Sequence, residues 1–544
     1  MKFLNYISVA TFASCLIQQA AATRLSPFHR KAIKPDTDHL DHAEIQSLNK
    51  RGYAFNGLGT FDQLIDHSNP SLGTFKQRYW YGTEFWNGPG SPIFLINMGE
   101  QSAEGFNVTW LSEQHLPGRF ARETGGAVII MEHRYWGESS PFELLTVENL
   151  THLTLENSLK DITHLANNLV LPFDKTNGSH PSNAPWVYMG GSYPGAIAAW
   201  LAVREPGTFW AYYSSSGVVQ AVTDFWQYYV PIQDATPANC SADISAVVDH
   251  VDSILLNGTA KQKDSLKAKF SLSGLTDADF AHALGGILFA WQGVQFDTEE
   301  KYGSVAYYDF CNYVEGVWPS NSTSLVTVPG EKGVGLEKAL EGYSKYYREV
   351  FVPDSCEKDS LNVECWQLSN GSNPIFHDLS VNNHGNRQWE WMLCNEPFEY
   401  WFGAPPPGEN GGKTLVSRLV DVEYWKNQCT LNFPELESGV PKNRTASDVN
   451  TFTGGWDVTN TTTRVMHTNG EWDPWRDATL SSKFRDGGEF KSTTDVPVRL
   501  VKGGNHCSDL SKAHWDANKE LSKLMDEVVW NMKVWIAEYY EESG

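Results

Sequence analysis

Apolar runs too short to be helices, each ending in turn residues, recur through the first half of the chain. SPIFLIN (91–97) runs into MGEQ, GAVIIMEHR (126–134) into YWGES, WVYM (186–189) into GGSYPG, and FWAYYSSS (209–216) into Gly217. Strands buried on both faces read this way, as continuous rather than alternating apolar stretches. Between the second and third runs, LENSLKDITHLANNLV (155–170) spaces its apolar residues as a helix does. Strand, loop, helix, strand predicts right-handed crossovers and a doubly wound, mostly parallel sheet.

From about 225 to 450 the strand-like runs stop. That region mixes helical patterns such as SADISAVVDHVDSILL with aromatic-rich segments and loops such as GAPPPGENGG (403–412). Strand-like runs return at TRVMHTN (463–469) and VPVRLVK (496–502), and a helical pattern follows over 517–540. One α/β domain (52–224 and 451–544) interrupted by a mostly helical insertion (225–450, or ending as early as 385) accounts for this order.

The chain ends and the cysteines add a compartment. Lys2, the apolar stretch Phe3 to Ile17 and the small residues Ala20 to Ala22 read as a signal peptide over 1–22. The polar segment 23–51 closes on Lys50-Arg51 and reads either as a pro-segment or as a surface turn. Nine N-x-[ST] sequons follow, at Asn107, Asn149, Asn177, Asn239, Asn257, Asn321, Asn370, Asn443 and Asn460, and with the leader they predict a secreted glycoprotein. Cys240, Cys311, Cys356, Cys365, Cys394 and Cys429 lie in the insertion, where an oxidising compartment predicts three disulfides. Cys507 stands apart and is expected to be a buried free thiol, unless it pairs with one of the six. No cysteine or histidine spacing suits a zinc site, so neither metal nor cofactor is expected. A formal net charge of −23 disfavours nucleic acid and anionic membranes as partners. No window reaches the roughly 18 apolar residues of a membrane span.

The candidate chemistry sits at the ends of the predicted strands. Ser192, on the glycine turn between the strand WVYM and a helix, suggests a nucleophile elbow, although Pro194 fills the last place of G-x-S-x-G and Gly195 comes one residue late. Asp473 (NGEWDPW) and His506 (GGNHCSDL) each follow one of the two late strands. Each alone is ordinary turn chemistry. Together, in the chain order Ser, Asp, His, they predict a catalytic triad in an α/β-hydrolase. The oxyanion donors should be the Tyr193 N–H and one from Met98, Gly99 or Glu100, with Gly99 preferred. Pro194 lacks an N–H but is not the expected donor, and proline is tolerated in a helix's first turn. His467 lies inside a strand, His133 belongs to a charged loop expected beneath the site, and Asp509 is expected to cap the following helix.

GGSY with a Gly three residues past the Ser, EHRYWG, NGxxDPW and GGxHCSDL resemble the serine peptidase family of lysosomal Pro-X carboxypeptidase and dipeptidyl peptidase II, nearest its secreted fungal prolyl endoproteases. GTFKQRYWYGTEFW, APWVYMGGSY, GVGLEKAL, RQWEWMLCNEP and GGWDVTNTTTR extend the resemblance along the chain. It implies an α/β-hydrolase with a helical cap after the nucleophile strand, the triad Ser192, Asp473 and His506, and cleavage after proline, usually at acid pH. It also implies that Trp475 lines the proline pocket. Pro194, the loop NMGEQSAEG without a Pro before GE, and Asn505 before the His depart from the family pattern.

A secreted serine peptidase, acting on proline-containing peptides or proteins as a monomer or homodimer, is therefore the expectation. A lysosome-like or vacuolar compartment is the second choice. Endopeptidase, Pro-Xaa carboxypeptidase and dipeptidyl peptidase modes all remain open, and Glu100 could hold a substrate amine in the last. An esterase or lipase on the same fold, or a silent binding glycoprotein with an elbow spoiled by Pro194, are the alternatives.

Overall fold

The structure, a computed structural model, describes residues 57–317, 329–355, 363–436 and 444–543. The expected signal peptide and pro-segment, Asn321, Cys356 and Asn443 lie outside these residues. Ten strands are found among those described: β1 (Gly57–Leu64), β2 (Thr74–Gly82), β3 (Ile93–Asn97), β4 (Ala127–Met131), β5 (Trp186–Gly191), β6 (Ala211–Ser215), β7 (Val222–Asp224), β8 (Glu399–Trp401), β9 (Val465–Gly470) and β10 (Val498–Val501). Eight form one sheet in the order β1-β2-β4-β3-β5-β6-β9-β10. From β4 to β10 all neighbours pair parallel, and β2 runs antiparallel to both β1 and β4. This is an α/β-hydrolase sheet.

The continuous apolar runs are explained by the two faces. In β3, Ile93 and Leu95 join one buried cluster while Phe94 and Ile96 join the other, and β4 and β5 divide their residues in the same alternating way. Burial on both sides leaves no polar face to show in the sequence. One face is covered by α1 (Leu116–Thr124) and the long C-terminal helix Lys519–Ser543, through Leu116, Phe120, Met525, Val528 and Met532. The other is covered by α2 (Leu155–Asn168), α3 (Tyr193–Arg204) and the inserted region. Helix α2 begins where Thr154 Oγ1 accepts the N–H of Asn157, which satisfies one of the open donors of the first turn.

Three differences from the sequence expectation have simple causes. The β1–β2 hairpin was not predicted, because β1 is an edge strand in which only Gln63 is buried and no apolar run forms. The run 126–134 leaves the sheet at Met131, so Glu132, His133 and Arg134 belong to the following loop. Within the insertion, β7 and β8 pair as a two-stranded parallel sheet that three-residue strands cannot advertise.

The rest of the insertion is mostly helical, with helices such as Ala238–Asn257 and Leu336–Tyr346, and it falls between β6 and β9. Disulfides join Cys240 to Cys311 and Cys394 to Cys429, and Cys365 is also disulfide-bonded. Cys507 is a buried free thiol.

Candidate active site

The elbow is built by strand β5, buried along its whole length, running directly into α3. Ser192 sits at the junction with φ 62° and ψ −125°. A non-glycine residue there holds about 1–3 kcal/mol of strain, which persists only where the surroundings enforce it. Its N–H donates to Ser215 O at 2.9 Å, tying the turn to β6. Two glycines allow the close approach. A Cβ on Gly190 would lie 2.4 Å from the Pro194 backbone, and one on Gly195 would lie 2.5 Å from Ser215 O. Gly195, one residue late by the motif, therefore does the steric work at the crossing of α3 and β6. Pro194 occupies the first turn of α3, where no intrahelical donor is lost.

The loop after β3 lies against this elbow. Gly99 has φ +71°, and a Cβ there would stand 2.6 Å from the Pro194 ring. Its N–H, offered by the sequence as the second oxyanion donor, is instead given to Asn97 Oδ1 at 2.7 Å. The Met98 N–H goes to Met131 O. Of the three loop candidates, Glu100 keeps an N–H with no hydrogen bond to another described residue, as does Tyr193 at the start of α3. The Glu100 side chain is 2% exposed, and its Oε1 has no hydrogen-bond partner. Burial pushes its carboxyl up to about 7, against smaller opposing pulls from its own backbone N–H and from His506.

His133, expected beneath the site, anchors the elbow's second residue. Its Nδ1 faces Arg134 O at 2.8 Å and its Nε2 faces the Tyr193 hydroxyl at 3.1 Å. A carbonyl only accepts, so Nδ1 carries the proton and Nε2 accepts from Tyr193. Burial holds this imidazole neutral, with its pKa down to about 4. Arg134 beside it is fully buried and binds both oxygens of Asp161 at 2.6 Å.

The order β5, β6, β9, β10 carries the other two candidates to the same edge of the sheet. His506 Nδ1 lies 2.9 and 3.0 Å from the two oxygens of Asp473, and both side chains are wholly buried. Burial alone would lower the histidine, but the Asp473 carboxylate and, after it, the neighbouring Cys507 outweigh it and hold the imidazole well above its usual value. Asp473 also accepts the Trp475 N–H at 2.9 Å. The Cys507 N–H donates to Ser216 Oγ at 3.0 Å, so the histidine loop is anchored on the residue next to Ser215, to which Ser192 is bound.

Asp509 does not cap the next helix, whose cap position is Ser511. Its carboxylate turns inward instead, accepting from Tyr213 and Ser215 hydroxyls at 2.6 Å each. Burial pushes it up to about 6 despite those two donors. His467 lies in β9 with its side chain buried, as its place within the strand requires.

Trp475 is buried among rings that the sequence did not single out. Phe225 stacks on it at 5.7 Å, and Tyr228, Tyr400 and Phe402 meet it edge-on at 5.3 to 5.4 Å. The His506 ring is 6.5 Å away. The β7–β8 pair and the short helix after β7 supply these rings, since Phe225 and Tyr228 follow β7 and Tyr400 and Phe402 come from β8 and its end. Their only signal was aromatic density in DFWQYY and EYWFG. Among the described residues, Glu390, Cys394 and Cys429 bring possible metal-ligand atoms together, but the two sulfurs are bonded to each other. Of the sequons, Asn177, Asn257, Asn370 and Asn460 are exposed, and Asn107, Asn149 and Asn239 are partly so.

The family model described as serine carboxypeptidase S28 matches residues 63–528. The chain is 39% identical over 498 residues to serine protease vicPa of Bipolaris victoriae, covering 90% of each chain. It is 30% identical over 462 residues to a "probable extracellular serine carboxypeptidase" of Arthroderma benhamiae, covering 82% of this chain and 60% of that one. The thymus-specific serine protease of Homo sapiens is 26% identical over 504 residues, covering 90% of this chain and 88% of its own.

Proposed function

The chain belongs to the serine carboxypeptidase S28 family and is a serine-type peptidase, and from that premise we propose that Ser192 is its nucleophile, His506 its general base and acid, and Asp473 the carboxylate that orients the base. The observation that carries this reading is the strained backbone of Ser192 at the β5–α3 junction, on the same sheet edge as the His506–Asp473 hydrogen bond. His506 takes the Oγ proton as Ser192 attacks the substrate carbonyl, and gives it to the leaving amine. Water then releases the acyl-enzyme. The Tyr193 N–H receives the oxyanion together with an N–H of the loop at Gly99 and Glu100.

The substrate is a peptide or protein cleaved on the C-terminal side of proline, by an endopeptidase or a Pro-Xaa carboxypeptidase mode. Trp475 and its surrounding rings support this, because a flat apolar wall suits a pyrrolidine that offers no polar group. Acid conditions leave the buried Glu100 and Asp509 neutral and least strained, since they are pushed up to about 7 and about 6, whereas the raised His506 sheds its proton and serves as base only at higher pH. The leader over 1–22 and the sequons support secretion. No helix among the described residues is long and apolar enough to cross a membrane.

Ser192→Ala should abolish hydrolysis of a prolyl reporter peptide and labelling by a fluorophosphonate, with the melting temperature unchanged. Turnover that survives this substitution would remove Ser192 from the mechanism. Short acyl esters turned over faster than prolyl amides would favour an esterase instead.

A further inference from the structure

Asp473 and His506 both lie on loops of the α/β domain, yet the contacts that fix those loops from above come from one short stretch of the insertion, residues 291–295. The Trp291 indole N–H donates to Trp472 O at 2.9 Å, and Trp291 O accepts from Asn505 Nδ2 at 2.7 Å. Gln292 Oε1 accepts from the Trp475 indole at 3.0 Å and from the Tyr228 hydroxyl at 3.2 Å. Gln295 Nε2 donates to the backbone carbonyl of His506 at 2.8 Å, while its Oε1 accepts from Ser508 Oγ at 2.7 Å. The Gln295 backbone is itself held, because its N–H donates to Thr298 Oγ1 at 2.6 Å.

The last of these contacts bears on the base. His506 lies outside regular structure, on a loop with positive φ at Gly503 and Cys507. The aim of its imidazole therefore depends on how the peptide unit joining His506 to Cys507 is oriented. That unit is gripped at both ends. Its N–H is bonded to Ser216 Oγ beside the nucleophile's own anchor, and its carbonyl is bonded to Gln295 of the insertion. Two opposed hydrogen bonds stop the peptide from rotating, and Ser508 sets which end of the Gln295 amide faces the carbonyl.

We propose that Gln295 is a positioning residue of the peptidase, an amide of the inserted domain that locks the His506–Cys507 peptide and thereby aims the general base at Ser192. The proposal rests on the assignment of His506 as base. Its consequence is that the α/β domain does not carry a complete catalytic centre by itself. The insertion supplies a part of the triad's support as well as the rings around Trp475.

The experiment uses the full glycosylated chain and a prolyl reporter peptide. Gln295→Ala should lower kcat by about 10- to 100-fold, the effect of a small misplacement of a reacting group, while KM stays within about twofold. Fluorophosphonate labelling should slow in the same proportion. Gln295→Glu keeps the shape and offers a hydrogen to the His506 carbonyl only when its carboxyl is protonated. Its kcat relative to the parent enzyme should therefore recover as pH falls from about 7 to 4, whereas that of Gln295→Ala should not. A kcat for Gln295→Ala within about twofold of the parent overturns the proposal, and so does a Gln295→Glu ratio that ignores pH. Where Gln295→Ala does not fold, the pH response of Gln295→Glu decides alone. Ser192→Ala, run in parallel, separates the two questions, since only its retained turnover would undo the underlying triad.

Discussion

Asp509 illustrates how much a residue's role depends on where its side chain turns. By position it is a helix cap, and by structure it is a buried acceptor for Tyr213 and Ser215 behind the candidate base. Its folded value of about 6 stands above the ordinary 3.8, so between those two values the folded chain binds more protons than the unfolded one. Stability from this group must then fall as pH rises through that window. Asp509→Asn removes the titration and keeps an acceptor. We expect the decline in melting temperature between about pH 4 and pH 6 to be flatter in the variant, and an unaltered slope would assign the pH dependence to other groups. Glu100 shifts in the same direction, so acid conditions suit both of these buried carboxyls.

At the scale of the element, the strand–turn–helix of the elbow depends on atoms that are missing rather than present. The written motif placed a glycine two residues after the serine, and this chain has Pro194 there. The structure shows that the crowding falls one residue later, where α3 passes over the end of β6. Gly195→Ala would set a methyl 2.5 Å from Ser215 O and 3.1 Å from Gly217 Cα, both backbone atoms that cannot step aside. A loss of about 1–3 kcal/mol in stability is expected from such overpacking. Chemical denaturation measures it, and fluorophosphonate labelling should slow in the same variant. A variant as stable as the parent would show that α3 can shift to make room. The odd proline, by contrast, costs the helix nothing and packs its ring on Gly99, so it couples the elbow to the candidate oxyanion loop.

Across the whole molecule, the insertion and the α/β domain are bound to one another at the candidate site itself. Residues 291–295 touch the Asp473 loop, the His506 loop and Trp475. The insertion's own integrity should therefore matter to turnover. The Cys240–Cys311 bridge spans 71 residues and by loop closure stabilises the folded state by about 4 kcal/mol. Replacing both cysteines by serine should lower the melting temperature, and kcat should fall at temperatures where the far-ultraviolet signal is still native. Loss of activity only together with global unfolding would mean that the insertion and the α/β domain melt as one unit.

The sequence by itself determined the central strands, the crossover helix, the inserted region and the chain order of Ser192, Asp473 and His506. Those features follow from local periodicity and from turns placed at strand ends, and both are written in adjacent residues. What only the tertiary structure decided are the partners. Asn97 takes the Gly99 N–H, His133 takes the Tyr193 hydroxyl, and Gln295 takes the His506 carbonyl across 211 residues of chain. The rings around Trp475 and the edge hairpin were likewise invisible, because three-residue strands and half-exposed strands leave no hydrophobic period. Side-chain amides and single aromatics acquire a role only when folding chooses what they face, and no spacing in the chain encodes that choice.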